Sequence, residues 1–506
     1  MSSSALAQDA RPARWSLNPP STENIGHLAR KGATWSILLV VARQPIGLAA
    51  TSVLSRLLTP DQYGLIGMAA VLTAFLQAFS DMGLSLAAVR REGLTRAQVD
   101  NLFWINAAAG VLLWGGCALA GPALSAFFGR DELSGIAAAL GATFAIGGLA
   151  AQPSALLARQ FRSRAIFGVD VTACLAGAVT AVWLARLGYG YWALVGQSLA
   201  TQLMRLVLVL AATGYRPGLP RSGAGTCGLL AFGGYLTAYA LVTYVGRNLD
   251  NIVIGRSWGP AALGYYARAY FLMSMPLMLA TSALSGVMIP LLSSLEFDRD
   301  RLGRAYRQAA RAISLIGLPL AAFLLVAAPE VVHLLYGDRW TAVIPLLRWL
   351  ALAGMAQTLV ASSGWLYVSL GHGRALLVVG LALTAVHSSA IIVGNSWGPL
   401  GVAIAYTLSS VSLALPTLWI AHRLAGLRLS ETLHAVWPVA RVTAFAIGAG
   451  LIGGEFVSMQ TDSRGILLMA KSAAGALALV IGGARLFEDL ASGAFAGLRR
   501  RTAGGA

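Results

Sequence analysis

The chain has 506 residues, of which 57% are hydrophobic and 11% charged, and its formal net charge is +17. So apolar a composition exceeds what the interior of a water-soluble protein of this length can hide, which excludes a soluble enzyme and makes lipid the main solvent. The three cysteines, Cys117, Cys174 and Cys227, lie in or beside apolar runs and the six histidines are scattered without paired spacing, so neither a disulfide framework nor a thiolate metal site is indicated.

Residues 1–30 are polar and lack the short apolar core and small-residue cleavage site of a secretory signal, so they read as a retained cytoplasmic tail. A bilayer core about 30 Å thick takes roughly 20 apolar residues per helix. That rule predicts an all-α polytopic protein of about fourteen transmembrane helices, at 33–57, 63–88, 101–128, 133–153, 166–186, 189–213, 227–254, 262–292, 312–336, 342–370, 375–393, 397–421, 433–455 and 465–485. No connection between them exceeds about 20 residues, which leaves no extramembrane catalytic domain. The longest internal connection, 293–311, sets Arg304, Arg307 and Arg311 on one helical face and predicts a linker helix lying against anionic head groups, with a gate-coupling element between spans 8 and 9 as the functional alternative.

Basic residues alternate between the connections. Arg11, Arg14, Arg30 and Lys31 precede span 1; Arg90, Arg91 and Arg96 follow span 2; Arg159, Arg162 and Arg164 follow span 4; Arg216 and Arg221 follow span 6. The same side continues with Arg299 to Arg311, Arg374, Arg423, Arg428, Arg485 and Arg499 to Arg501. The opposite side holds only Arg56, Arg130, Arg186, Arg256, Arg339 and Arg464. Basic loops stay cytoplasmic, so both termini are expected inside and most of the net charge is an orientation signal.

One stretch recurs. Val53-Leu54-Ser55-Arg56-Leu57-Leu58-Thr59-Pro60 with Tyr63-Gly64 lines up with Val253-Ile254-Gly255-Arg256-Ser257-Trp258-Gly259-Pro260 with Leu263-Gly264. Downstream, Phe128-Gly129-Arg130-Asp131 is echoed by Tyr336-Gly337-Asp338-Arg339. Six spans, an even number, separate the copies, so both enter the membrane from the same side as parallel repeats. The domains that follow are a tail at 1–30, an N-lobe at 31–213 (spans 1–6), a linker at 214–226, a C-lobe at 227–425 (spans 7–12), a final helix pair at 426–486 and a cytoplasmic tail at 487–506.

A charge at a helix centre costs roughly 2.5–3.5 kcal/mol even on lenient scales, so such residues usually face a cavity. Arg43 lies near the middle of span 1, and Gln44, Gly47 and Thr51 extend a polar, small-residue stripe. In span 7, Tyr239, Thr243, Arg247, Asp250 and Asn251 share a face, with Asn248 beside them; span 8 adds Tyr265 and Arg268. Spans 1 and 7 are equivalent helices of the two lobes, and a cavity lined by Arg43, Arg247 and Arg268 suits an anion, because guanidinium groups grip phosphate through paired hydrogen bonds. The alternative is local: Arg247 pairs with Asp250, and Arg268 snorkels to the interface. Asp81, Asp170 and Glu330 sit near helix ends, where interfacial solvation accounts for them, and spacing alone gives Arg348, Arg441 and Lys471 no partner.

Gly32-Ala33-Thr34-Trp35, the run Leu54 to Gly64, Asp81-Met82-Gly83-Leu84, Asn248 to Gly255, Ala262 to Tyr266 and Tyr336 to Trp340 together resemble the polysaccharide transporter (Wzx-like flippase) family of the multidrug/oligosaccharidyl-lipid/polysaccharide (MOP) exporter superfamily. The match covers most of 30–425. The resemblance implies a flippase, not an enzyme, that moves undecaprenyl-diphosphate-linked oligosaccharide repeat units from the cytoplasmic to the periplasmic leaflet of a bacterial inner membrane, for exopolysaccharide, capsule or O-antigen assembly. It also implies rocking of two lobes around a cationic cavity and coupling to a proton or sodium gradient, with no cofactor. Arg43, Gln44, Arg247, Asn248, Tyr265 and Arg268 would hold the cargo, Asp250 would couple the ion, and other membrane proteins of polysaccharide assembly would be partners. No nucleic acid is expected.

Three rival readings stay open. A major facilitator is suggested by Asp300-Arg301-Leu302-Gly303-Arg304, although Glu296 stands where that superfamily's loop motif has Gly and the loop after span 2 lacks the primary copy. An exporter of drugs from the same superfamily is the second, opposed for cationic cargo by an Arg-lined cavity. A polysaccharide polymerase or ligase is the third, opposed by the short outer connections and by the lack of a nucleophile–base pair in a plausible setting.

Overall fold

The computed structural model describes residues 25–80, 95–220, 227–458 and a few positions between 466 and 473. The tail 1–24, Asp81 to Leu84, Arg90, Arg91, most of span 14 and the tail 487–506 lie outside the described residues. Within the described residues every regular element is helical. In chain order these are α1 (Ile25–Leu57), α2 (Pro60–Ser80), α3 (Arg96–Phe128), α4 (Glu132–Arg159), α5 (Ser163–Arg186), α6 (Trp192–Thr213), α7 (Cys227–Ser294), α8 (Arg299–Val326), α9 (Ala328–Leu335), α10 (Val343–Val360), α11 (Ser363–Ser369), α12 (Gly373–Gly394), α13 (Gly398–Ala425) and α14 (Leu429–Ser458).

Among the described residues, eight helical stretches, with α10–α11 and α12–α13 each taken as one, are long and apolar enough to cross a membrane, or nine if a bent pair within α7 is counted as one span. Their outward faces are apolar: Leu112, Leu119, Val179, Trp183 and Ile452 are all more than half exposed. A helix greasy on its uncovered side is one whose solvent is lipid. The protein is a multi-span helical membrane protein.

The chain divides into two compact units, Met1–Pro260 and Ala261–Ala506, so the division falls at the second copy of the repeated corner. The predicted linker 214–226 lies inside the first unit. Each unit pairs its helices in the same pattern. In the first, α3 packs on α4, α5 on α6 and α4 on α6. In the second, α8 packs on α10, α12 on α13 and α10 on α13. The duplication legible in the sequence is therefore a duplication of packing.

The corners show how different residues build one turn. The first copy stops α1 at Leu57 and restarts at Pro60, where the Gln62 side chain accepts from the Thr59 amide at 3.1 Å, one arm of a capping box. The second copy has no such side chain, and the backbone breaks instead at Gly259, with φ 82° and ψ 178°. A further repeated corner was not evident in the sequence. Arg162 N donates to Leu157 O at 3.1 Å and His372 N to Tyr367 O at 2.8 Å, the six-to-one closure of a helix C-terminus. Gly371 supplies the left-handed residue there with φ 70°, whereas its counterpart is Phe161 with φ 53°.

Two expectations change. Residues 299–311 are the first turns of α8, capped by the Asp298 carboxylate on Arg301 N at 3.0 Å, and Leu302, Tyr306 and Ala309 are buried in the second unit's core. Arg307 pairs with Glu431 at the start of α14. Amphipathicity was visible, but the apolar face is covered by protein rather than by head groups. Span 9, predicted to run to 336, ends at Val326; Pro329 can open the first turn of a helix but cannot donate within one, and a separate short helix begins at Ala328.

Candidate functional site

The spans of the first unit approach closely through glycines. A Cβ at Gly110 would lie 2.4 Å from Phe144 O and one at Gly148 would lie 2.3 Å from Asn106 O, so α3 and α4 meet backbone to backbone. Beside this contact the helices part around a cavity of about 530 Å³, lined by polar groups from five of them: Gln77 of α2, Asn106 of α3, Thr143 and Ser154 of α4, Asp170 of α5, and Gln202 and Arg205 of α6. It reaches from Asn106, roughly 15 Å along α3 at 1.5 Å per residue, towards the corner joining α4 and α5, where Leu157, Ala158 and Ile166 line it.

Its charges are paired. Arg205 Nε stands 3.3 Å from Asp170 Oδ1, and among the described residues these are the charged ones that line the cavity. Thr143 and Ser154 spend their hydroxyl protons on carbonyls of their own helix, Leu140 O and Ala150 O, leaving oxygen lone pairs towards the space. Asn106 is 4% exposed and its Nδ2, in the cavity lining, has no hydrogen-bond partner. A buried amide donor without a partner carries a desolvation cost of about 1–3 kcal/mol.

None of these residues was among the sequence candidates. Asp170, expected at a helix end in interfacial solvent, is paired with Arg205 instead. Glu330 likewise bonds Lys471, which spacing alone had left without a partner, at 2.5 Å. In both pairs the partners lie on different helices, beyond the reach of periodicity.

The sequence candidates fall in both units. In the first, Arg43 is exposed and Gln44 half-buried on α1. Asn248 Nδ2 donates to Tyr244 O at 3.2 Å, and the buried Asp250 accepts the Asn251 amide at 2.8 Å. Arg247 is on α7, but its side chain lies outside the described residues. In the second, Tyr265 donates to Arg339 O at 3.4 Å and lies edge-on to Trp340, while the Arg268 guanidinium lies 5.8 Å from the Phe271 ring centre. At the corners, Arg256 covers the Phe127 ring at 5.7 Å, and Arg130 bonds Asp61 at 3.3 Å.

Residues 53–345 match the family model described as polysaccharide biosynthesis protein. The chain belongs to that family. It is 25% identical over 473 residues to the teichuronic acid biosynthesis protein TuaB of Bacillus subtilis (strain 168), covering 88% of this chain and 93% of that one. It is 24% identical over 387 residues to the lipopolysaccharide biosynthesis protein WzxC of Escherichia coli (strain K12), covering 75% of this chain and 78% of that one. Among solved structures, the lipid II flippase MurJ in an inward closed conformation aligns with a TM-score of 0.67 at 12% identity, over 90% of this chain and 99% of that one. An inward-facing MATE multidrug transporter of the MOP superfamily aligns with a TM-score of 0.61 at 18% identity, over 79% of this chain and 99% of that one. At such identities these alignments establish the fold, which is that of MOP transporters.

Proposed function

We propose that this family member is a flippase for lipid-linked oligosaccharide repeat units, carrying them from the cytoplasmic to the periplasmic leaflet of a bacterial inner membrane during exopolysaccharide, capsule or O-antigen assembly. The observation that carries the reading is the family match over 53–345 on a MOP transporter fold, together with relatives whose names place them in teichuronic acid and lipopolysaccharide biosynthesis. The finer architecture belongs to the same proposal: fourteen spans, two six-helix lobes and a final pair, with both termini inside. Transport is by alternating access of the lobes and makes or breaks no covalent bond. Arg43, Arg247 and Arg268 grip the diphosphate, aided by Gln44, Asn248 and Tyr265, while the polyprenyl tail stays in lipid. Asp250 couples a proton or sodium ion to the cycle.

Deletion of the gene in its host tests this. Surface polysaccharide is expected to fall while lipid-linked repeat units accumulate facing the cytoplasm. Normal polysaccharide, with instead a lowered efflux of small drugs, would favour the drug-exporter reading.

A further inference from the structure

We infer that the cavity inside the first unit is a subsite for an uncharged, hydroxyl-rich sugar residue of the cargo. The inference rests on the lipid-linked sugar reading above and adds where one of the sugars sits. A volume of about 530 Å³ falls within the roughly 300–1,000 Å³ of sites for small organic ligands. Its chemistry selects among them. Asp170 neutralises Arg205 at 3.3 Å, so the lining charges cancel and favour neither the diphosphate nor an acidic sugar. The amides of Asn106 and Gln202 each offer both donor and acceptor, the pairing that vicinal hydroxyls require, and Asn106 Nδ2 is buried without a partner. Phe144 lines the same space and supplies an apolar face for the C–H side of a pyranose ring. Hydroxyls on one face and C–H groups on the other describe a sugar better than a lipid tail, which would strand the amides, or a cationic drug, which would find no net negative charge.

The test uses full-length protein in nanodiscs and, as probe, the host's repeat-unit oligosaccharide released from its lipid, observed by saturation-transfer NMR. Gly147 lines the cavity with open space where a Cβ would go, so Gly147→Phe fills it, whereas Gly115→Phe, also in open space and absent from the lining, is the control. Sugar signals are expected from wild type and Gly115→Phe, about three- to tenfold weaker binding from Asn106→Ala and Gln202→Ala, and none from Gly147→Phe that retains the wild-type unfolding temperature. No signal from wild type would mean that water alone fills the cavity and would overturn the inference, as would undiminished binding in a folded Gly147→Phe. Transfer of the intact lipid-linked unit in liposomes separates the two readings. Transfer without cavity binding would leave the flippase standing and remove the subsite; cavity binding without transfer would do the reverse.

Discussion

Tyr215 and Asp100 show how much one hydrogen bond carries when both partners are buried. The phenol donates to Asp100 Oδ1 at 2.6 Å, and Trp104 Nε1 reaches Gly218 O at 2.8 Å, so the segment after α6 is held on the start of α3. Tyr215→Phe leaves the buried carboxylate without this donor and is expected to destabilise the first unit by about 1–3 kcal/mol, read as a lowered unfolding temperature in detergent. Burial first, and then the bond to Asp100, push the Tyr215 hydroxyl's pKa up from its ordinary value of 10.0. A group whose folded pKa is raised stabilises fully below its unfolded pKa and loses that contribution as pH rises towards the folded one. The gap between wild type and Tyr215→Phe should therefore hold constant through neutral pH and shrink above about pH 10; a gap that widened there would contradict the assignment. At the equivalent corners, Gly371 with φ 70° tolerates the left-handed region and Phe161 with φ 53° is strained by it. Gly371→Ala should cost about 1 kcal/mol of stability, whereas Phe161→Gly should be neutral or stabilising. A thermal-shift series with the opposite ordering would exclude the strain.

Between helices, glycine placement decides what can pack. Gly147 and Gly148 are neighbours in α4, yet a Cβ at Gly147 meets nothing within 4 Å while one at Gly148 strikes Asn106 O at 2.3 Å. Gly148→Ala is thus expected to push α3 off α4 at a cost of about 1–3 kcal/mol, and Gly147→Ala to be silent; equal yields and unfolding temperatures would refute the close approach. Such detail marks the limit of sequence reading. Thr59-Pro60-Asp61-Gln62, Gly259-Pro260 and Gly337 announce breaks because their chemistry is local, and the helix ends observed there lie within a few residues of expectation. The equivalence of the α4–α5 and α11–α12 corners is not legible because Phe161 stands where the second corner has Gly371. The cavity escaped because its walls come from α2 to α6, and no periodicity within one helix reports which polar side chains converge. For the same reason the pairing of Asp170 with Arg205 is not legible in the sequence.

In the second unit a well-buried ion pair ties Lys471 to the start of α9. Lys471 Nζ bonds Glu330 Oε1 at 2.5 Å, with side-chain exposures of 13% and 6%, and Gly450 of α14 packs on Val326 at the end of α8. Breaking such a pair leaves one buried charge uncompensated, so Lys471→Met alone should cost about 3–5 kcal/mol, while Glu330→Gln with Lys471→Met should recover much of it. A double variant as unstable as the single would show that the pair does not join these elements. At the scale of the whole protein, the repeated packing and the apolar outer faces describe a membrane transporter fold, and the family match supports the proposal that its cargo is a lipid-linked sugar. The most direct test is leaflet transfer of a labelled polyprenyl-diphosphate oligosaccharide, taken from the host's own pathway, in liposomes holding the purified protein beside Arg43→Ala and Arg247→Ala. The account predicts transfer by wild type that collapses in both arginine variants. No transfer by correctly inserted wild-type protein would contradict it.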